Sequence, residues 1–261
     1  MKKISIILVI ALISLMCLSA CGTASTDTPE ETDAVSTAPV ATDDIQKDEQ
    51  NAKLDTAYTV ETIGEKDTNE NGEVIGDCHY QKLVFTNPNE ALKKINEELA
   101  EEANEFFDKD LGKQYNEYFS ELPDVMKANL VDCPYIATYD VDKVFTDDNY
   151  VSISYVWEWY AGGVHNYGSD GLNFDIKTGE KIDFKDLFAS EADARNAFST
   201  AVNALIDSDP DAFFSDAKDT VSNYDLDNVS FALSEGKITV FINQYDIAPG
   251  ASGSFTVDIA R

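Results

Sequence analysis

Residues 150–160 alternate as a strand does, and that run limits the fold more than any other stretch of the chain. Val151, Ile153, Tyr155, Trp157 and Trp159 fall on one side, with Ser152, Ser154, Val156, Glu158 and Tyr160 on the other. A strand with so large an apolar face needs a second layer to cover it. The run leads into Gly162, Gly163, Val164, His165, Asn166 and Tyr167. Gly162 and Gly163 can take backbone angles closed to other residues, so they are read as a structural turn. The rings beside that turn, Tyr160, His165 and Tyr167, are candidate ligand contacts. Trp157 and Trp159 are weaker candidates, expected to be largely buried.

The remaining elements segregate by type. Residues 58–63 and 77–85 read as a hairpin around Asn71-Gly72. Asp67, Asn69 and Asn71 also match the opening of a calcium loop, but its twelfth position is Cys78 where a bidentate Glu is required, so the segment reads as a turn. Asn87 as cap and Pro88 as first residue predict a helix whose apolar face is Leu92, Ile95, Leu99, Ala103 and Phe106. A second helix is predicted from Ser190, with Ala194, Phe198, Val202, Leu205 and Ile206 turned inward. Residues 172–176 and 181–184 read as a second hairpin, with Gly179 in its turn. Hairpins outnumber βαβ units, so the fold class is α+β: mainly antiparallel sheet with helices packed on it, in two α+β subdomains.

The N-terminal region carries an address. Lys2 and Lys3 precede an uncharged apolar run from Ile4 to Leu18, then Ser19, Ala20 and Cys21. The run is too short for a comfortable bilayer span and reads as a lipoprotein signal peptide, residues 1–20. Cys21 would carry the lipid, since only a thiol can form the thioether. Residues 21–57 form an acidic linker rich in Ser, Thr and Pro. It holds nine Asp and Glu against Lys47 and Lys53 and no aromatic residue. Such a segment buries too little apolar surface to offset its ordering entropy. As a flexible coil its ends would lie roughly 30–35 Å apart. The two subdomains are expected at 58–145 and 146–261.

The formal net charge of −30 speaks against nucleic acid and anionic lipid as partners, leaving the lipid anchor as the expected membrane contact. It favours a cationic ligand, or solubility alone. Cys78 and Cys133 are the cysteines left in the globular part, and a disulfide between them is plausible outside the cytoplasm. No CxxC or HxxxH spacing occurs, so no metal is expected, and no motif requires a cofactor.

The stretch from Tyr155 to Phe188 resembles the extracellular domain shared by RsiV-type lysozyme-sensing anti-sigma factors and the non-catalytic region of PdaC-type peptidoglycan deacetylases. The residues that carry the likeness are Gly162, Gly163, His165, Asn173, Phe174, Asp175, Thr178, Gly179, Leu187 and Phe188, with a closing element at Tyr245-Asp246-Ile247-Ala248-Pro249-Gly250-Ala251-Ser252-Gly253. The resemblance implies an N-terminal PdaC-like part before an RsiV-like domain. The signal peptide and Cys21 lead to the expectation of an exported protein anchored by lipid to the outer face of the bacterial cytoplasmic membrane.

The expected function is non-enzymatic: a surface-anchored envelope protein that binds a cationic protein such as lysozyme, or a cell-wall polymer. A glycan-binding module working through the aromatic loop is the alternative. A hydrolase or deacetylase using His165 is a further one, although no triad order surrounds that histidine and no catalytic residue is assigned. Replacing Cys21 by Ser should move the protein from the membrane fraction to the medium, or leave it unprocessed; unchanged fractionation would refute the anchor.

Overall fold

The computed structural model describes residues 55–261. Cys21, the signal peptide and most of the linker lie outside the described residues. The first layer is a five-stranded sheet in the order β1 (Tyr58–Thr68), β2 (Val74–Phe85), β3 (Tyr135–Thr146), β4 (Tyr150–Tyr160) and β5 (Asn166–Asp175). Neighbours are antiparallel except β2 and β3, which run parallel with Cys78 opposite Ala137. A parallel pair requires a long crossover. Here it contains α1 (Glu90–Lys109), α2 (Leu111–Glu121) and the single turn α3 (Asp124–Lys127).

α1 starts two residues later than predicted. Asn89, not Asn87, is the cap; its side chain accepts the Leu92 N–H at 2.9 Å, leaving Pro88 ahead of the helix. The predicted apolar face is the buried one. Leu92, Ile95, Leu99, Ala103 and Phe106 pack on Tyr80, Leu83, Phe85, Ile153 and Tyr155 of the sheet. Each large side chain so buried contributes about 1.5–3 kcal/mol.

The second layer follows. α4 (Glu191–Ser208) is capped by Ser190, whose hydroxyl accepts the Asp193 N–H, and the helix stops at Asp209-Pro210. After α5 (Ala217–Ser222) comes an antiparallel sheet in the order β6 (Phe231–Ser234), β7 (Lys237–Ile242) and β8 (Phe255–Ala260). Phe198, Val202 and Ile206 of α4 share a core with Phe231, Leu233, Ile238 and Val240. The fold is α+β, as expected.

Packing divides the chain at a different point from the boundary expected at 145/146. That position falls in the β3–β4 hairpin, inside one continuous sheet. Core membership changes between Ile176, in the first core, and Phe184, in the second. The second predicted hairpin is correspondingly reduced. Its return segment makes one bridge, Phe174 to Lys181, and then turns into a short 3-10 segment at Phe184–Leu187. Gly179 does hold the positive φ, 74°, and a Cβ there would meet the Ala91 carbonyl of α1 at 2.4 Å.

The two layers meet through hydrogen bonds. Asn173 donates its amide to the Phe231 carbonyl at 2.7 Å, and the Ser152 hydroxyl accepts the Leu233 N–H at 2.7 Å. Asn243 brackets Ser169 of β5, accepting its N–H at 2.9 Å and donating to its carbonyl at 3.0 Å. Gln244 accepts the Tyr167 N–H at 2.7 Å. The edge strand β5 is thus closed by side-chain amides.

The expected disulfide is absent. Cys78 is a buried free thiol and Cys133 an exposed one. Because Cys78 pairs with Ala137, Cys133 lies four residues short of it along the chain. Cys133 caps the 3-10 turn ahead of β3, outside the strand register that holds Cys78. Burial, then Asp67 and Asp77, push the Cys78 thiol up to about 12, so it stays protonated and unreactive.

On the face of β2 opposite α1, His79 joins two strands. Its Nδ1 lies 2.7 Å from Asp77 and its Nε2 2.9 Å from Asp140 of β3. Only the imidazolium can donate to both carboxylates at once. Burial works against that charge, but the bonds to Asp77 and Asp140 outweigh it and raise the pKa above 6.5.

Two outcomes follow from these contacts. Asn243→Ala should lower the unfolding free energy by about 1–3 kcal/mol in urea, because two part-buried backbone groups of β5 lose their partners; an unchanged midpoint would show that the bracket is dispensable. The His79 contribution should be complete below about pH 6.5 and fade as pH rises through the raised folded value. Stability of the native protein should therefore fall with alkalinity more steeply than that of His79→Gln; parallel pH profiles would contradict the imidazolium bridge.

Candidate binding surface

Side chains of the first sheet facing away from α1 form an open strip wherever the second sheet does not cover them. Ser152 and Ser154 lie under the second layer and are buried. Beyond them, Val156, Glu158 and Tyr160 of β4 emerge toward solvent or its edge. The register places Val156 opposite Asp140, and Glu158 between Thr138 and Tyr167. The strip therefore continues from the Asp77–His79–Asp140 bridge to the β4–β5 turn.

At that turn the structure brings the sequence candidates together. Gly162 holds φ at 80°, and a Cβ there would come within 3.1 Å of the Tyr135 hydroxyl. Gly163 has neither a positive φ nor a close neighbour, so the bend does not require it. His165 is exposed, with Nε2 3.1 Å from the Glu158 carboxylate. Its ring lies edge-on between those of Tyr160 and Tyr167, each 6.0 Å away. Tyr167 is exposed, whereas Tyr160 is half-buried against Tyr135. Burial, with a contribution from neighbouring Cys133, raises the Tyr160 phenol above its ordinary value.

The tryptophans are half-buried rather than largely buried. Both lie on the α1 side of β4, away from the aromatic row. Trp157 packs against Gly168, where a Cβ would meet its ring at 2.6 Å. Trp159 rests on the exposed Tyr118 at 6.1 Å. Their side of the sheet is open at this end because the helices do not cover it fully.

Ser169 and Asp170, neighbours of His165 in sequence, do not join it. The Ser169 backbone is held by Asn243. Asp170 accepts from Tyr139 at 2.7 Å, from the Gly171 N–H at 2.7 Å and from Ser230. Its carboxylate thus serves the joint between layers. Among the described residues, no group of three His, Cys, Asp or Glu is arranged to hold a metal ion.

One contributor enters the sequence reading only within the closing element, not as a contact. Tyr245, in the loop between β7 and β8, is 53% exposed and has φ of 71°, the one positive value among described non-glycine residues. Its ring lies over Gly250, where a Cβ would fall 2.2 Å from it. Gln244 anchors the loop to Gly250 at 2.9 Å and to Tyr167. Asp246 accepts the Asn243 N–H at 2.8 Å, and burial raises its carboxyl above the usual range. The legible clue was the small Gly250 following an aromatic residue at short range; the left-handed backbone itself leaves no mark in the sequence.

Comparison with known proteins finds solved structures that share the fold. A DUF3298 family protein from Bacteroides fragilis is 17% identical, with a TM-score of 0.51 over 80% of this chain and 92% of its own. A DUF3298 family protein from Pseudomonas aeruginosa is 14% identical, also at 0.51, over 79% of this chain and 92% of its own. No curated protein matches. The part of the chain built around α4 and the second sheet, residues 185–261, matches the model of the family DUF3298, described as a protein of unknown function.

Proposed function

We propose that this chain is an exported envelope protein, tethered through Cys21, that binds a cationic protein of the lysozyme type on the surface formed by the β4–β5 turn and the Tyr245 loop. The observation that carries the reading is the row Tyr160–His165–Tyr167, flanked by Glu158, with the loop of exposed Tyr245 joined to Tyr167 through Gln244. Tyrosine rings offer large, stiff contact area with a polar tip, the chemistry enriched at binding hot spots. Glu158 beside them, and the charge of −30, favour a basic partner by speeding encounter and rejecting acidic ones. A strained, exposed tyrosine further supports a contact role, since such backbone is retained mainly where it serves function.

Wall-glycan recognition remains the second reading, because exposed Tyr167 and Tyr245 could equally stack on sugar rings. The two readings respond differently to salt. Charge-driven capture weakens as the Debye length shrinks, whereas stacking does not. Catalysis through His165 has less support, since its nearest polar partner is the exposed Glu158.

Binding of the full chain to lysozyme should be measurable at low salt and fall steeply by about 0.3 M. Tyr245→Ala and Tyr167→Ala should each weaken it by about tenfold or more. Absence of binding at low salt would remove the cationic partner; salt-independent binding to wall fragments, lost in the same variants, would establish the glycan reading instead.

A further inference from the structure

The five-stranded sheet has a second edge, and among the described residues nothing closes it. β1 pairs with β2 on one side only, and every residue from Tyr58 to Thr62 is exposed. Two contacts fix the direction of its free backbone groups. The Thr86 N–H donates to the Ala57 carbonyl at 2.9 Å, so Ala57 and Thr86 are a hydrogen-bonded pair. The next pair, Tyr58 with Phe85, is then a non-bonded one. Phe85 accordingly donates its N–H to the Asn96 side chain at 2.9 Å and accepts from it at 3.1 Å, on the side away from β1. Alternation turns the N–H and C=O of Tyr58, Val60 and Thr62 outward, toward solvent. Gly64, with φ at 101°, ends this regular stretch.

Native edges are commonly guarded by proline or by charge. Neither guards this one. The segment from Tyr58 to Ile63 contains no proline, and its single charged residue, Glu61, is paired with Lys82 of β2 at 3.1 Å. Tyr58 and Val60, on one face of the strand, stay 44% and 42% exposed. The stretch is therefore locally neutral in a chain of net charge −30. It holds no unpaired carboxylate to attract a basic peptide, and it does not repel a strand identical to itself.

We infer that β1 is an interface for a second copy of this chain, the two strands pairing antiparallel about a two-fold axis at Val60. In that register Tyr58 faces Thr62 of the copy, Val60 faces itself and Thr59 faces Glu61, so each outward N–H meets an outward carbonyl and no charge meets its like. Moving the axis to Glu61 would set that carboxylate against its copy. Moving it to Thr62 would bring the kink at Gly64 into the ladder, and moving it to Thr59 would draw in Thr56, beside the turn in which Asp55 accepts the Ala57 N–H. The contact is short, so the dimer is weak and depends on concentration. The rest of each acidic chain repels its copy at long range, so salt strengthens the pairing. β1 and β5 are opposite edges of the sheet, which keeps this interface apart from the β4–β5 turn.

Disulfide trapping tests the register in the full-length chain carrying Cys17→Ser, Cys21→Ser and Cys133→Ser, which leaves the buried Cys78. Adding Val60→Cys should give a disulfide dimer on mild oxidation at about 0.1 mM chain, because bonded partners in an antiparallel pair have Cα atoms about 5.5 Å apart. Thr62→Cys alone should give about tenfold less, since Thr62 of the copy lies about 13 Å off along the ladder. Tyr58→Cys mixed with Thr62→Cys should give the mixed dimer. Raising salt from about 20 mM to about 0.3 M should increase the Val60→Cys yield. In the unmodified full chain, sedimentation should show a dimer that Val60→Pro abolishes. The Val60 N–H does not bond to β2, so the melting temperature of that variant should hold. A chain that is monomeric at every concentration, equal trapping at Val60→Cys and Thr62→Cys, or a yield that falls with salt would overturn the inference.

Discussion

The fold depends on how one sheet edge is closed. β5 ends the five-stranded sheet, and an open edge offers unpaired N–H and C=O groups to any strand nearby. Here the second layer meets that edge with side chains rather than with another strand. Asn243 takes both polar groups of Ser169, Gln244 takes Tyr167, and Asn173 reaches back to Phe231. Amide side chains suit this task because each carries a donor and an acceptor at backbone-like spacing. The joint also requires missing side chains. At Gly171 a Cβ would fall 1.8 Å from the Phe231 carbonyl, and at Gly168 one would fall 2.3 Å from Asn243. Two glycines of β5 are therefore explained by close approach, not by turn geometry, which is how glycine within a strand is commonly used.

That joint also explains where sequence reading succeeded and where it failed. The helices were legible because their buried faces recur at helical spacing: Leu92, Ile95, Leu99 and Phe106 in α1, and Ala194, Phe198 and Val202 in α4. β4 was legible from its alternation, yet Ser152 and Ser154 on the polar side are buried. Alternation reports which residues are apolar, and a polar interlayer reads as a solvent face. The same confusion placed the boundary at 145/146, since the register of β3 with β4 is a long-range property absent from either strand alone. Cys78 and Cys133 looked like partners by elimination, and only the parallel register of β2 and β3 shows them to be offset.

The candidate surface was half legible. Tyr160, His165 and Tyr167 were found because glycines and rings cluster in one short stretch. Glu158 was visible as an outward residue of β4, but its pairing with His165 depends on how the hairpin turns. Tyr245 lies 78 positions beyond Tyr167 in number and becomes its neighbour only through Gln244. Asp140 and His79 are likewise joined across 61 positions. Short motifs reveal local chemistry; the Asp77–His79–Asp140 bridge is assembled by sheet pairing, which a single sequence does not encode in any local pattern.

The edge closure and the candidate contact surface are parts of one loop. Asn243 and Gln244 hold β5, and the next residue, Tyr245, is forced into the left-handed region, at a cost of about 1–3 kcal/mol for a bulky side chain. Surrounding contacts maintain that conformation: Asp246 fixes the Asn243 N–H, Gln244 fixes Gly250, and the absent Gly250 side chain admits the ring. A relaxed backbone at Tyr245 would swing the phenol elsewhere and would pull Gln244 from Tyr167. Strain at the exposed ring is therefore supported by the bonds that close the sheet. Exposure of Tyr245 and order in the β4–β5 turn should rise and fall together, because a single short segment supplies both.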